Sequence, residues 1–151
     1  MVAWLELMRP KNLVLGAITV PLGAAFTLQG QIVDEMLIIS LQTIAVMLFI
    51  GAGNVMNDIK DFEIDKLAHP NRPLPSQQIS LIAATKFSWI LWALSILCLV
   101  SGAYFSMDFD LWWTTIVIYA IAVVLMVSYD HGPKTKEMGL QGNIAISLMV
   151  A

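Results

Sequence analysis

The sequence GNVMNDIKDFEIDKLAHPNRPLP, residues 53–75, places a dense group of acidic side chains directly after a long run without charge. On a helix that turns 100° per residue, five polar side chains of this stretch fall within an arc of about 100°. Lys60 and Glu63 point away from that arc. We name the five side chains the acidic stripe; they are Asn54, Asn57, Asp58, Asp61 and Asp65.

The acidic stripe concentrates negative charge where a helix tolerates it poorly. We expect it near the C-terminal end of a helix, where the macrodipole disfavours anions, and like charges three or four positions apart repel. A hard divalent ion with oxygen ligands would offset this charge, and Mg²⁺ commonly brings substrate phosphates with it. The alternative is a solvated acidic helix end. The ligand spacing of a calcium-binding EF-hand is absent from the stretch.

The composition predicts a membrane protein. Of the 151 residues, 58% are hydrophobic and 13% are charged, and the mean hydropathy is +0.77. Soluble domains carry about 25% charged residues. The net charge of −3 gives no reason to expect a nucleic-acid partner, and Cys98, the single cysteine, excludes an internal disulfide.

Runs without charge predict an all-α, multi-span transmembrane bundle. Before the first run, residues 1–12 predict a short interfacial helix, and the apolar residues 138–151 begin a fifth span. The prolines within 70–75 break any helix there, and Ser76 or Ser80 caps the next one. Glycines at the end of the second span allow a close approach to its backbone. The four complete spans are predicted at 12–33, 36–57, 87–107 and 111–129.

The placement of basic residues predicts the orientation. All eight Lys and Arg residues lie in the N-terminal arm, in residues 58–86 or in residues 130–137. By the positive-inside rule these segments, and the acidic stripe with them, are cytoplasmic in an integral protein of the cell membrane. The eight are Arg9, Lys11, Lys60, Lys66, Arg72, Lys86, Lys134 and Lys136.

Three motifs resemble those of the UbiA superfamily of intramembrane prenyltransferases. Residues 57–65 carry the pattern N-D-x-x-D-x-x-x-D, residues 70–75 read PNRPLP, and residues 9–12 read RPKN. The resemblance to the first aspartate-rich motif of the superfamily covers most of the chain. It implies Mg²⁺-dependent transfer of a prenyl group from a polyprenyl diphosphate to an acceptor within membrane lipid.

The resemblance also implies roles for individual residues. Asp58, Asp61 and Asp65 would act in catalysis with Arg72, and Lys66 and Arg72 would bind phosphate oxygens. Lys66 and Arg72 could instead be ordinary positive-inside residues. The implied metal ligands are Asn57, Asp58, Asp61 and Asp65, and the implied substrate-binding residues are Asn54, Asn57, Lys66, Arg72, Tyr129, Lys134 and Lys136.

The second polar loop helps to choose a branch of the superfamily. Tyr129 and the lysines of residues 130–137, followed by G-x-x-G-N at 139–143, resemble the branch that joins a geranylgeranyl-type chain to geranylgeranylglyceryl phosphate in ether-lipid synthesis. Gln77 departs from the pattern, since a glycine often follows PLPS. The open alternatives are an aromatic or tetrapyrrole acceptor (in quinone, haem or chlorophyll synthesis), a cation-binding transporter bundle, or a non-catalytic partner subunit.

The superfamily carries a second aspartate-rich motif, and residues 76–151 contain no match to it. Asp108 and Asp110 fall on the opposite side of the membrane from the acidic stripe. We therefore expect residues 1–151 to be the N-terminal part of a single transmembrane prenyltransferase domain, inactive alone.

Overall fold

A computed structural model describes residues 2–28, 32–106 and 109–131, and their regular structure is entirely helical. The predicted all-α class is confirmed, and no strand occurs in these three ranges. The helices are α1 (Val2–Leu7), α2 (Pro10–Leu28), α3 (Met36–Lys60), α4 (Phe62–Ala68), α5 (Leu81–Ser106) and α6 (Phe109–His131).

Three helices of the described ranges, α2, α3 and α5, are long and apolar enough to cross a membrane. They correspond to the first three predicted spans. The predicted fourth span coincides with α6, whose apolar stretch Trp112–Val127 is shorter, so its crossing stays a prediction. Residues 138–151 lie outside the described residues.

The chain divides into two units, residues 1–106 and residues 107–151. In the second unit the described structure is α6. In the first unit α3 is the common partner: it packs against α2 and α5, and it also contacts α1 and α4.

The packing of α3 on α5 depends on small residues and hydroxyl groups. Ser95 Oγ donates to the Ala45 carbonyl at 2.7 Å, and Ser88 Oγ donates to the Ala52 carbonyl at 3.3 Å. Ser88 and Ser95 are seven residues apart, and so are Ala45 and Ala52. The later serine bonds the earlier alanine, so the helices are antiparallel. Lipid-embedded helices associate through such close packing and interhelical hydrogen bonds, because apolar faces gain little by leaving apolar lipid.

Glycines bring the neighbours of α3 close to it, as the sequence predicts. A Cβ at Gly51 would lie 2.7 Å from Met8 Cε, and a Cβ at Gly16 would lie 2.9 Å from Ile50 Cδ1. Side chains at these positions would therefore require the ends of the Met8 and Ile50 side chains to move.

The N-terminal segment differs from the single interfacial helix predicted over residues 1–12. It ends α1 at Leu7 and starts α2 at Pro10, with Arg9 between them in left-handed backbone at φ 56°. A proline suits the first turn of a helix because its missing N–H has no helical partner there. The chain therefore turns at Arg9 and does not continue as one helix.

A hydrophobic core lies beneath the end of α3 that carries the acidic stripe. It joins α1, α3, the loop before α5 and the start of α5. Trp4 packs edge-on against Phe87 with ring centroids 4.8 Å apart. Ser80 Oγ accepts from the Ala83 N–H at 3.2 Å, which confirms the predicted cap of α5. The buried members are Leu7, Ala52, Val55, Leu74, Ile79, Ala84 and Leu91.

Candidate functional site

The acidic stripe spans two helices, not the single helix end that the periodicity predicts. Asp61, with φ −81° and ψ 6°, joins α3 to α4, and its ψ lies well away from the helical value. The hydrogen-bond spacing nevertheless continues, since Asp61 N donates to Asn57 O at 2.9 Å and Asp65 N donates to Asp61 O at 2.7 Å. The 3.6-residue period therefore carries through the joint.

Asp58 is buried at the end of α3 and paired with an arginine from the turn before α2. Arg9 Nη2 donates to Asp58 Oδ1 at 2.5 Å across 49 residues of sequence. The Asp58 side chain is 6% exposed, whereas the Arg9 side chain is 36% exposed. A buried carboxylate needs such a partner, because loss of its hydration is otherwise uncompensated.

Asp65 on α4 repeats this arrangement with an arginine from the following loop. Arg72 Nη1 donates to Asp65 Oδ2 at 2.6 Å, and the side-chain exposures are again 36% for the arginine and 6% for the aspartate. The loop is anchored by its own residues Pro73 and Leu74, which are buried. The structure thus brings together two of the predicted catalytic carboxylates and the predicted Arg72.

The two ion pairs belong to one cluster. Asp58 lies close enough to Arg72 and Asp65 for both charges to act on it, in addition to its direct bond with Arg9. Two positive and two negative groups therefore lie near one another at one end of α3. The remaining stripe residues Asn57 and Asp61 are half-buried.

Asn54 braces the backbone turn at Arg9. Its Nδ2 donates to the Met8 carbonyl at 2.9 Å, and its Oδ1 accepts from Asn12 Nδ2 at 3.4 Å. A non-glycine residue in left-handed backbone costs about 1–2 kcal/mol, so the turn needs such support. Asn54 thereby fixes the segment that presents Arg9 to Asp58.

Lys66 contacts different residues from those that the two arginines contact. Its Nζ bonds Glu63 Oε1 at 2.9 Å and sits 4.2 Å from the centroid of the Phe62 ring. The Glu63 side chain is 79% exposed. Lys60 and Glu63, which the helical period predicts to point away from the stripe, are exposed.

Several predicted site residues fall outside the described structure. Lys134 and Lys136 lie beyond residue 131, and the side chain of Tyr129 in α6 is likewise outside what is described. The same holds for Asp108 and for the side chain of Asp110. Their roles stay predictions.

The donor chemistry of the stripe fits Mg²⁺, which prefers hard oxygen ligands. Within the described ranges, no group of three or more His, Cys, Asp or Glu side chains converges on one point. Asp58 and Asp65 each direct one oxygen at a guanidinium instead. The carboxylates are therefore held by arginines in this state.

Arg9 is the site residue that the sequence reasoning missed, although it begins the RPKN motif. A usable signal exists: the positive-inside rule puts Arg9 at the same membrane side as the acidic stripe, and a buried carboxylate there needs a cation. The rule does not identify Asp58 as the partner of Arg9, because that ion pair depends on how the turn at residues 8–10 packs on α3.

Long apolar helices with a charged cluster at one end define an integral membrane protein with an ionic site at the membrane edge. The chain belongs to the UbiA prenyltransferase family, which residues 15–151 match. The resemblance of the motifs is thereby confirmed. Prenyltransferases of this family are generally magnesium-dependent.

Several relatives of known name cover nearly the whole chain. Digeranylgeranylglyceryl phosphate synthase of Methanococcus aeolicus is 34% identical over 149 residues, which is 97% of this chain and 48% of the relative. The synthase of the same name from Methanothermobacter thermautotrophicus is 37% identical over 146 residues, which is 97% of this chain and 46% of the relative. The chain spans about half the length of these curated relatives.

A solved structure agrees with the fold. It comes from work on digeranylgeranylglyceryl phosphate synthase in membranes, and it superposes with a TM-score of 0.77 at 32% identity. The alignment covers 98% of this chain and 48% of that structure. The helical arrangement described above is therefore that of a known UbiA-type bundle.

Proposed function

We propose that this chain takes part in transferring a polyprenyl group of the geranylgeranyl type from its diphosphate to a lipid acceptor such as geranylgeranylglyceryl phosphate. The cluster of two arginines and two buried aspartates at the end of apolar helices carries this proposal. Such a donor has an apolar tail that belongs in lipid and a polyanionic head that needs cations. The relatives named above support the choice of acceptor.

In this proposal the described residues bind and orient the diphosphate. Arg72 donates hydrogen bonds to phosphate oxygens in a planar fork, and Lys66 adds a second positive charge from α4. Asn57, Asp58, Asp61 and Asp65 are the residues that would hold Mg²⁺. When bound, the ion would supply charge neutralisation of the departing diphosphate, as the allylic C–O bond breaks and the acceptor oxygen bonds to the allylic carbon. The residues suggest no covalent enzyme intermediate.

The remaining predictions belong to the same proposal. The N-terminus and the acidic stripe face the cytoplasm, where soluble phosphorylated compounds and Mg²⁺ are available, as the positions of the basic residues indicate. Tyr129, Lys134 and Lys136 contact substrate from the second polar loop. Residues 1–151 form the N-terminal part of one transmembrane domain.

The test measures prenyl transfer by the chain alone and by a completed protein. By completed protein we mean residues 1–151 joined to the part of the Methanococcus aeolicus relative that the chain does not match. Radiolabelled geranylgeranyl diphosphate is offered with geranylgeranylglyceryl phosphate, with hydroxybenzoate and with a naphthoate, in the presence of Mg²⁺. We expect product with the lipid acceptor from the completed protein and none from the chain alone.

Each other outcome of that assay counts against a stated part of the proposal. Product with an aromatic acceptor only would replace the lipid acceptor. Robust transfer by the 151-residue chain alone would contradict the assignment of this chain as one part of a domain. Cation flux in liposomes without diphosphate release would favour a transporter.

A further inference from the structure

Arg9 is held in an unusual backbone conformation that directs its side chain to the acidic stripe. Its φ of 56° lies in the left-handed region, which glycine adopts more readily than any other residue. The turn is fastened to α3 by Asn54, which bonds the Met8 carbonyl. A glycine at position 9 would suit this backbone but would leave Asp58 without a guanidinium.

The exposure of the two ion pairs shows which charges an incoming ligand meets. In both pairs the arginine side chain is six times as exposed as the aspartate, 36% against 6%. A guanidinium has five N–H donors, and each ion pair occupies one nitrogen of its arginine. The exposed groups are therefore the guanidiniums, whose N–H donors suit anions. The carboxylates that would hold a metal ion are buried.

Arg9 and Arg72 both lie near Asp58 although they are 63 positions apart in the sequence. Asp58 accepts its hydrogen bond from Arg9 and also lies within electrostatic range of Arg72. Two guanidiniums near one buried carboxylate suit a ligand that carries two adjacent anionic groups. A diphosphate has this character, and planar guanidinium groups suit phosphate oxygens.

We propose that Arg9 is a diphosphate-binding residue that acts with Arg72, and that the anion binds to this chain before a metal ion does. The proposal rests on the proposed function and adds an order of binding to it. Asp58 and Asp65 each direct one carboxylate oxygen at a guanidinium, and that oxygen becomes available to an ion only when the guanidinium turns to the phosphates. A metal ion that takes both oxygens of either carboxylate has to displace the guanidinium, which gains no new anionic partner when diphosphate is absent.

The experiment measures binding of inorganic diphosphate to the 151-residue chain in lipid nanodiscs by calorimetry, first in EDTA and then with Mg²⁺. We expect binding in EDTA, and we expect Mg²⁺ without diphosphate to bind at least tenfold more weakly than Mg²⁺ with it. No binding in either condition overturns the proposal, because the two arginines are then insufficient. Binding that requires Mg²⁺ overturns the order.

Variants at position 9 test the residue itself. Arg9→Gly removes the guanidinium and relieves the backbone, so we expect at least a tenfold loss of affinity in EDTA. Gln77→Gly is the matched control, since Gln77 has φ 61°, is exposed, and lies outside the ion-pair cluster; its affinity should be unchanged. Equal affinity of Arg9→Gly and the unaltered chain overturns the role of Arg9.

Two further variants separate binding from folding. Arg9→Lys keeps the positive charge and should retain part of the affinity. The double variant Arg9→Gln with Asp58→Asn replaces the ion pair by a neutral one, so it should unfold at nearly the same temperature as the unaltered chain and still lose affinity. Full affinity in that folded double variant contradicts the proposal. A completed protein that binds diphosphate through Arg9 but transfers no prenyl group overturns only the proposed function.

Discussion

The two ends of α3 carry polar groups of different charge. At the apolar end, a cavity of about 420 Å³ lies between α2 and the first turns of α3, and Thr43 Oγ1 bonds the Ile39 carbonyl one turn back at 2.7 Å. At the aspartate end, Asp58 and Asn54 bond partners more than 40 residues away. The lining residues of the cavity are Pro21, Ile32, Met36, Ile39, Ser40, Thr43 and Ile44.

The difference follows from the surroundings of each end. The Thr43 hydroxyl uses the carbonyl one turn back on its own helix, which needs no partner from another segment. A buried carboxylate needs a cation, and no basic residue occurs in α3 before its last turn. The aspartate end therefore depends on segments that fold back onto α3, and changes there should matter most.

The largest expected effect comes from removing a stripe carboxylate. Asp61→Ala and Asp65→Ala should each lower prenyl transfer by the completed protein by about two orders of magnitude, since groups that stabilise developing charge are worth that much. The assay with radiolabelled donor measures this. Glu63→Ala is the control, because Glu63 is exposed on α4. Activity within a few-fold of the unaltered protein for both aspartate variants would refute the role of the stripe.

Arg72→Lys should weaken diphosphate binding by about tenfold, which corresponds to about 1.4 kcal/mol. A lysine keeps the charge but loses the planar fork that fits both Asp65 and a phosphate. Lys60→Ala should leave the affinity unchanged, because Lys60 is exposed on the other side of α3. Calorimetry in nanodiscs compares the two, and equal mild effects would speak against the geometry of the site.

Ser95→Ala tests the α3–α5 contact between the two ends. It should lower the free energy of unfolding by about 0.6 kcal/mol, the average for a polar contact between membrane helices. Thr85→Ala removes a hydroxyl that bonds one turn back on an exposed face of α5 and should cost less. Thermal unfolding in mild detergent checks both. A larger loss for Thr85→Ala would contradict the antiparallel register described above.

Gln77→Gly should raise the free energy of unfolding by about 0.5–1 kcal/mol. Gln77 occupies left-handed backbone at φ 61°, where a side chain is strained and glycine is not. A destabilised variant in the same unfolding measurement would show that the Gln77 side chain contributes more than its backbone strain costs.

Thr43→Val should have the smallest effect, at the apolar end. The Thr43 hydroxyl bonds the Ile39 carbonyl of its own helix, and the change should alter stability by less than about 0.5 kcal/mol. Diphosphate affinity should stay within about twofold of the unaltered chain, because the site lies at the opposite end of α3. A large loss of diphosphate affinity would contradict the separation of the two ends of α3.

Composition and spacing were sufficient to predict the membrane bundle and the helices of the first three spans. Charge-free runs of about 20 residues leave few alternatives to spanning helices. The helical period predicts that Asp58, Asp61 and Asp65 share one face, and the structure shows Asp58 and Asp65 each buried and paired with an arginine. The same local reasoning found the Ser80 cap and the exposed positions of Lys60 and Glu63.

Only the tertiary structure decided which cation meets which carboxylate. The pairing of Arg9 with Asp58 depends on a left-handed residue before Pro10 and on Asn54, which holds that turn against α3. The register of α5 likewise comes from the contact of Ser88 and Ser95 with α3. Local spacing determines what each helix presents on its own surface, whereas partners distant in sequence are selected by how packed segments fold back, and no repeat in the sequence encodes that.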